Sequence, residues 1–234
     1  MIESFHSTIL SVEMYQRSEN PDLSVVIPTI PDSEHHSVVI ELSKQKFEGQ
    51  FEIIVVNDDT IDACEARNIG LNVANADIVA FTDDDCIPKN DWINNIYDIM
   101  EDDSIICAEG KVTGSLNYSG KRGYLTSNLA VDRSEALAVG GFRSEYFRWR
   151  EDTEFGWRME RDGDGSCLYS ERIVVQHPTR PRAEYIHKNE KLLREEYPNR
   201  YKEILGVSIR NRVFRFTQRS GLFGLYKKLT YHDK

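Results

Sequence analysis

Three short, mainly apolar segments, one ended by proline and two by polar and acidic residues, constrain the fold of this chain most strongly. The segments are residues 23–27, 51–56 and 77–81, and they are followed by Pro28, by Asn57 to Asp59 and by Thr82 to Asp85. Short β-branched runs of this kind are typical of strands buried on both faces of a parallel sheet. The sequence therefore predicts parallel strands with acidic clusters at their carboxyl ends.

Segments with helical periodicity separate these strands. Val38, Val39 and Leu42 share one helical face, residues 63–73 repeat the pattern, and a further helix is predicted to follow Pro88 and to end near Met100. Alternating strands and helices form an open, doubly wound α/β sheet, whose ligand crevice lies at the carboxyl ends of its strands. Beyond Ile105, short strands and glycine-rich turns predict a mixed-sheet lobe within the same domain.

Composition excludes several classes of protein. Of 234 residues, 40% are hydrophobic and 10% are aromatic, which excludes general disorder. No apolar run approaches the roughly 18 residues that a membrane span needs, and the N-terminus does not resemble a secretion signal. The four cysteines include no C-x-x-C pair, so the sequence indicates neither a zinc site nor a disulfide framework. We therefore expect a reducing, cytoplasmic environment.

Charge is distributed unevenly along the chain. Residues 188–234 hold 12 basic and 5 acidic side chains, a net charge of +7, which leaves −17 for residues 1–187. An acidic body should repel nucleic acid, so no nucleic acid partner is expected. The body suits divalent cations or a high-salt cytoplasm, and the basic tail suits an acidic partner such as anionic lipid.

The acidic triplet Asp83-Asp84-Asp85 is the first candidate site. Adjacent carboxylates repel one another when they are ionised, and a divalent cation removes that cost. Mg²⁺ and Mn²⁺ bind one or two protein carboxylates together with substrate phosphates. Asp83 and Asp85 share a side of an extended chain, so one can reach a metal while the other reaches a hydroxyl or water. The alternative is a solvated turn that caps the helix after Pro88.

Five separated motifs occur in the order typical of family 2 inverting glycosyltransferases. They are Ser24-Val-Val-Ile-Pro-Thr29, Val55-Val-Asn-Asp-Asp59, Ala66-Arg-Asn-Ile-Gly70, Phe81-Thr-Asp-Asp-Asp85, and Gly140-Gly-Phe142 with Glu151-Asp152. Over residues 23–178 the chain resembles a GT-A fold enzyme. The resemblance implies a Rossmann-like, mostly parallel sheet with a small mixed sheet. The predicted domain, residues 1–187, has a nucleotide-binding half at 23–108 and an acceptor half at 109–187, and a basic helical extension covers 188–234.

The resemblance also implies which residues hold the donor. Matching positions place the nucleoside against Pro28, Thr29 and Asp58, and Arg67 near the nucleotide. Thr29 could equally be a turn residue, and Asp58 or Asp59 could cap the next helix. Arg67 could form a surface salt bridge, which contributes little stability. Asp83 and Asp84 are assigned to the donor as well, while Asn68 and Gly70 are expected to serve close packing.

Catalytic and metal roles follow from the same resemblance. Asp152 resembles the general base, which accepts the proton of an acceptor hydroxyl, and Glu151 would orient that base or bind the acceptor. Plain capping of a helix N-terminus is the alternative for this pair. His177 resembles a histidine that completes the metal site with Asp85 and Asp83, and neutral imidazole suits Mn²⁺. A lone histidine is more often structural, and His187 is a weaker alternative ligand.

The predicted reaction is metal-dependent sugar transfer, with inversion, from a nucleoside diphosphate donor to a hydroxyl of a glycan or lipid-linked acceptor. UDP-sugar is favoured, and the acceptor is expected to be selected in loops such as residues 115–127. A sugar-1-phosphate nucleotidyltransferase fits less well, because the loop from Pro28 to Pro31 has neither glycine nor arginine. The segment Gly114 to Lys121 has the wrong spacing for a P-loop kinase. A catalytically inactive donor-binding or scaffold protein is the remaining alternative.

The C-terminal residues 207–231 interleave bulky apolar and basic side chains. Such a segment can lie in a membrane interface with its cations at anionic head groups. It can equally form a helix packed on the acidic body or a homodimer contact, since Gly221 and Gly224 interrupt the pattern.

Overall fold

The computed structural model describes residues 5–6, 12–114, 118, 120, 122–178 and 186–206. Two compact units divide the chain: one comprises residues 1–147 with 151–182, and the other comprises residues 148–150 with 183–234. The tail predicted to contact a membrane, residues 207–231, lies outside the described residues, as do five positions of the predicted acceptor loop. The domain boundaries set from the sequence stay predictions.

One nine-stranded sheet forms the centre of the first unit, in the order β1-β2-β4-β3-β5-β8-β7-β9-β6. Its strands are β1 (Phe5–His6), β2 (Val12–Gln16), β3 (Leu23–Thr29), β4 (Phe51–Asn57), β5 (Ile78–Phe81), β6 (Ile87–Pro88), β7 (Ile105–Gly114), β8 (Leu129–Asp132) and β9 (Ser166–His177). Its helices are α1 (His36–Ser43), α2 (Ala63–Val73), α3 (Trp92–Met100), α4 (Arg133–Ala138) and α5 (Glu151–Asp162), with 3₁₀ turns at Thr126–Asn128 and Ser144–Tyr146.

Helices cover both faces of the sheet. Alternate residues of a strand point to opposite faces, and in β3 the apolar residues of both faces are buried against helices. Val25 belongs to the core that also includes buried residues of α1 and α3. Val26 faces α2, where a Cβ placed on Gly70 would lie 2.2 Å from the Val26 Cγ1 atom. The predicted packing role of Gly70 is therefore confirmed.

The direction of the strands brings the predicted site residues to one edge. β3 pairs in parallel with both β4 and β5, so Thr29, Asn57 and Phe81 end at the same edge. β8 is antiparallel to β5 and to β7, and β7 is parallel to β9. β9 therefore runs in the same direction as β5, and its last residue, His177, lies at the edge that carries the acidic triplet.

The fold class predicted from the sequence is confirmed, but the prediction of a mostly parallel sheet is wrong, and two further details differ. The second half adds its strands to the same sheet instead of forming a small separate one, and among the described strands three of eight pairings are parallel. β2 was also not predicted. Its sequence Val-Glu-Met-Tyr-Gln alternates polar and apolar residues, as half-buried antiparallel strands do.

The second unit contains α6 (His187–Glu196), α7 (Pro198–Tyr201) and a π-helical turn at Lys202–Gly206. Leu193, Tyr197 and Tyr201 are its buried apolar residues. No helix in the described part of the chain is long and apolar enough to cross a membrane.

Candidate active site

The acidic triplet forms a tight turn directly after β5, and the Cys86 amide donates to the Asp83 carbonyl at 3.1 Å. Asp84 points to the β3 side, where its carboxylate accepts hydrogen bonds from the Thr29 hydroxyl at 2.8 Å and from the Ser33 hydroxyl. Asp83 and Asp85 both face His177. The predicted division of the triplet into two sides is confirmed, and it is not a helix cap, because α3 begins at Trp92 after Asp91.

His177 meets Asp83 and Asp85 at the end of β9. Its Nε2 atom lies 3.7 Å from Asp83 Oδ2 and 3.9 Å from Asp85 Oδ1. Its Nδ1 atom lies 2.8 Å from the Pro178 carbonyl, which favours the tautomer that carries a proton on Nδ1 and leaves Nε2 to face the carboxylates. Ligand atoms of Asp83, Asp85, Cys86 and His177 all lie within 4.8 Å of one another.

Opposite charges stabilise the ionised forms of these groups. Burial raises the pKa of Asp83, but the adjacent His177 and Arg67 lower it further, and the net pKa lies below the usual value. The Asp83 carboxylate raises the pKa of His177 to about 9, against the effect of partial burial. The metal-free site therefore holds an imidazolium among carboxylates at neutral pH.

The donor chemistry of this cluster fits Mn²⁺ or Mg²⁺. Two carboxylates provide hard oxygen ligands that suit both ions, and the imidazole provides a borderline nitrogen ligand that Mn²⁺ accepts more readily than Mg²⁺. Burial raises the pKa of the Cys86 thiol, so the sulfur stays protonated and is a poor ligand. Cys86 lies beside the cluster although the spacing of the cysteines in the sequence gives no sign of it. His187 is absent from this cluster of described residues and starts α6 in the second unit.

Arg67 lies on α2 beside the acidic turn. Its Nη2 atom is 3.3 Å from Asp83 Oδ1, and its guanidinium lies 5.6 Å from the centre of the Phe142 ring. The side chain is 6% exposed, so the alternative of a surface salt bridge is wrong. Its Nε and Nη1 atoms are buried and find no acceptor among the described residues. Two buried donors of Arg67 thus have no acceptor among the described residues, although buried donors in proteins are usually paired.

The residues assigned to the nucleoside lie together at the ends of β3 and β4. Pro28 pairs with Val56 and Thr29 with Asn57, and the Asp58 amide donates to the Thr29 carbonyl at 3.2 Å. Asp58 accepts hydrogen bonds from the amide and hydroxyl of Thr60 at 2.8 and 2.6 Å.

The capping alternative for Asp58 and Asp59 is wrong, because Asp62 caps α2 and forms a capping box with Glu65. Asn68 serves packing as predicted. Its amide donates to the Phe142 carbonyl at 2.8 Å and its Oδ1 atom accepts from the Phe142 amide at 2.7 Å.

Glu151 and Asp152 begin α5, as predicted. Burial and the neighbouring Asp152 raise the pKa of Glu151 to about 7, although Arg67 acts in the opposite direction. Asp83 is also among the charges that raise it, so the pair lies within electrostatic range of the acidic turn. Asp152 Oδ1 accepts a hydrogen bond from the Thr153 amide at 2.7 Å. Glu151 is therefore partly protonated near neutral pH and can exchange a proton.

The family assignment rests on a sequence comparison. The model of glycosyl transferase family 2 matches residues 33–174, which is more than half of the chain. The chain belongs to glycosyl transferase family 2. No curated relative matches it in overall sequence. The matched range of this glycosyltransferase includes the acidic turn, Arg67 and the Glu151-Asp152 pair, and it ends before His177.

Solved structures share the fold of this family 2 glycosyltransferase. One is S. aureus TarS 1-349 in complex with UDP-GlcNAc, with a TM-score of 0.63 and 13% identity over 88% of this chain and 81% of that one. Another is the mannosyltransferase PcManGT from Pyrobaculum calidifontis in complex with GDP-Man and Mn²⁺. It has a TM-score of 0.59 and 11% identity over 93% of this chain and 77% of that one.

Glu109 is a residue of this glycosyltransferase that sequence reasoning missed. It lies on β7, is 1% exposed, and accepts a hydrogen bond from the Tyr124 amide at 2.5 Å and one from the Tyr118 hydroxyl. Burial raises its pKa, and the Asp152 charge contributes to the increase. Its signal in the sequence was an acidic residue that directly follows the apolar run of Ile105 to Ala108.

Proposed function

We propose that this protein transfers a sugar from a nucleoside diphosphate donor to a hydroxyl group, with inversion at the anomeric carbon. The observation that carries the proposal is the cluster of Asp83, Asp85 and His177 beside the buried Arg67, because it combines ligands for a divalent cation with donors for a phosphate. The mannosyltransferase of similar fold, which was solved with GDP-Man and Mn²⁺, supports the metal.

In the proposed mechanism, Asp83, Asp85 and His177 would hold Mn²⁺ or Mg²⁺. When bound, the ion supplies positive charge beside the diphosphate leaving group. Arg67 donates hydrogen bonds to the phosphates through its Nε and Nη1 atoms. Pro28, Thr29 and Asp58 contact the nucleoside, and Asp84 holds the Thr29 hydroxyl in place.

Asp152 acts as the general base. Its carboxylate accepts the proton of the acceptor hydroxyl while that oxygen forms a bond to the anomeric carbon, and the bond from this carbon to the diphosphate oxygen breaks on the opposite face. Bound geometry makes this displacement effectively intramolecular. Glu151, whose pKa is raised to about 7, is partly protonated near neutral pH, which reduces the negative charge beside Asp152.

A donor screen tests this function. The full chain is incubated with Mn²⁺ and a panel of UDP-, GDP- and dTDP-sugars, and released nucleoside diphosphate is measured first. We expect release from a UDP-sugar, a choice that the TarS complex with UDP-GlcNAc supports. The anomeric configuration of the product is then determined by NMR, and inversion is expected. Absence of release from every donor would contradict the activity, and retention would contradict the single displacement.

For the acceptor, we propose a glycan or lipid-linked molecule at the cytoplasmic face of a membrane. The alternation of basic and bulky apolar residues in the sequence of residues 207–231 supports this proposal. The test is co-sedimentation of the full chain, and of a version that ends at Ile204, with anionic and neutral vesicles at low and high salt. Binding of the full chain alone to anionic vesicles is expected. Equal, negligible binding by both versions would contradict the membrane contact and favour a dimer or packing role.

A further inference from the structure

Two of the three residues that directly precede α5 have an unusual backbone conformation. Arg148 and Arg150 have φ angles of 69° and 79°, in the left-handed region that disfavours residues with a Cβ atom. Such conformations persist only when surrounding contacts determine them, and they concentrate at functional sites. Residues 148–150 belong to the second unit, together with residues 183–234, although the chain enters α5 immediately after them.

The carboxylate of Glu190 on α6 holds two of these residues. Its Oε2 atom accepts hydrogen bonds from Trp149 Nε1 at 2.8 Å and from Arg150 Nε at 3.0 Å. Its Oε1 atom accepts a hydrogen bond from the Tyr201 hydroxyl. Glu190 is 5% exposed, so water competes little for these bonds. A buried carboxylate thus links α6 and α7 to the segment before α5.

The adjacent residue of α6 fixes the backbone of the same segment. The Asn189 amide, which is buried, donates to the Trp149 carbonyl at 3.1 Å. The Arg150 guanidinium also lies 5.1 Å from the centre of the Trp149 ring, within the range of a cation–π contact. Both the main chain and the side chains of residues 149 and 150 are therefore held.

Glu190 is ionised in this arrangement. Burial raises its pKa, but the Arg150 charge and the hydrogen bonds from Tyr201 and Trp149 lower it further, so the net pKa lies below the usual value. Hydrogen bonds to an ionised acceptor are stronger than those between neutral groups. Removing the charge while keeping the shape should therefore loosen the segment without creating a cavity.

We propose that Glu190 is a positioning residue that fixes Trp149 and Arg150 and, through the peptide bond from Arg150 to Glu151, the backbone that carries the general base. The inference rests on the proposed function, in which Asp152 is that base. Glu190 lies beyond residues 33–174, the range matched by the family model. A displacement of about 1 Å at a reacting group can lower a rate about a hundredfold, so a residue with no contact to substrate can control turnover.

The test compares E190Q with the matched control E195Q in the full chain. Glu195 lies on the same helix, pairs with Lys191 and is exposed. Hydrogen exchange of residues 148–154 is followed by mass spectrometry, and kcat and KM for the donor are measured from Mn²⁺-dependent release of nucleoside diphosphate. In E190Q we expect exchange in this segment to be about tenfold faster and kcat about tenfold lower, with the donor KM within about twofold of wild type.

Exchange and kcat equal to those of E195Q would overturn the proposal. A uniform increase in exchange that includes β3 and β4 would also overturn it, because it would show general destabilisation. If wild-type protein released nucleoside diphosphate from no donor, the proposed function would fail, and the exchange comparison alone would decide the role of Glu190. If E190Q does not fold, E190D replaces it: the shorter side chain withdraws the carboxylate from Trp149 and Arg150, so faster exchange of residues 148–154 and a lower kcat are again expected, and values equal to those of E195Q would overturn the proposal.

Discussion

The acidic turn after β5 and the start of α5 both carry adjacent carboxylates, yet their pKa values shift in opposite directions. Burial disfavours the charge of Asp83 and of Glu151 alike. The pKa of Asp83 is nevertheless lowered, whereas that of Glu151 is raised to about 7. Burial therefore does not explain the difference.

Neighbouring charges explain it. Asp83 lies beside two cationic groups, Arg67 and His177, which favour its ionised form. The largest charge effect on Glu151 comes from another carboxylate, Asp152, which disfavours ionisation. The acidic turn is therefore suited to hold a cation and a charged donor, and the pair on α5 is suited to hold and release a proton. The predictions below test this division.

The largest expected effect is that of Asp152→Asn. The amide keeps the shape of the side chain but cannot accept the proton, so kcat should fall by about 10² to 10⁴, which steady-state release of nucleoside diphosphate measures. Asp162→Asn at the exposed end of the same helix is the control and should retain wild-type kcat. Turnover of Asp152→Asn near that of the control would assign the base to another residue, with Glu151 the first candidate.

The next effect is a pH dependence of metal binding. Mn²⁺ must displace the proton from His177, whose pKa is about 9, so affinity should rise about tenfold per pH unit from pH 6 to 8. Calorimetric titration with Mn²⁺ measures this slope. His177→Gln should flatten it, whereas His36→Gln, at an exposed histidine, should leave it unchanged. A slope that persists in His177→Gln would show that another group releases the proton.

Glu151→Gln should change stability in a pH-dependent way. The pKa of Glu151 is 4.5 in the unfolded reference state and about 7 in the folded chain. Protonated Glu151 therefore contributes fully to the stability of the folded chain below pH 4.5, and this contribution is lost as the pH rises through 7. Glutamine mimics the protonated form. The variant should match wild type at pH 4 and exceed it by about 1–3 kcal/mol at pH 8. Urea unfolding without metal measures this, with Glu145→Gln as an exposed control. A gain at pH 4 as large as at pH 8 would contradict the raised pKa.

Asp84→Asn should have the smallest effect. Asp84 faces Thr29 and Ser33, and its amide analogue still accepts hydrogen bonds from both hydroxyls. We expect Mn²⁺ affinity within about twofold of wild type and UDP affinity reduced about twofold to fivefold, since these hydroxyls gain a weaker acceptor. Calorimetry with each ligand separates the two effects. A loss of Mn²⁺ affinity above tenfold would place Asp84 in the metal site.

The sequence was sufficient to predict those site residues that lie at the ends of predicted strands or within contiguous motifs. Asp83 and Asp85 could be placed at the ligand edge because they follow a predicted parallel strand, whereas His177 was assigned to them by the resemblance to family 2 glycosyltransferases. Glu109 and Glu190 could not be found in this way. Their contacts depend on tertiary packing that joins distant segments, and an isolated acidic residue on a strand or helix carries no periodic signal.

The pairing of strands was also only partly predictable. β2 lies between β1 and β4, and its five residues give only a short alternation of polar and apolar side chains, which is a weak signal for a strand in sequence. The pairing of β7 with β9 joins residues about 60 positions apart. Propensity and periodicity are local properties of the sequence. They therefore predicted the parallel strands of the first half, but they could not predict how the strands of the second half pair.

One calorimetric comparison tests the division of labour most directly: binding of UDP with Mn²⁺ to Asp85→Asn and to Asp152→Asn, beside wild type. The account predicts that Asp85→Asn loses at least about tenfold in affinity, because a neutral amide replaces a charged metal ligand. It predicts that Asp152→Asn binds within about twofold of wild type, because the base acts on the acceptor. Equal losses in both variants, or a loss confined to Asp152→Asn, would contradict the separation of metal and donor binding from proton transfer.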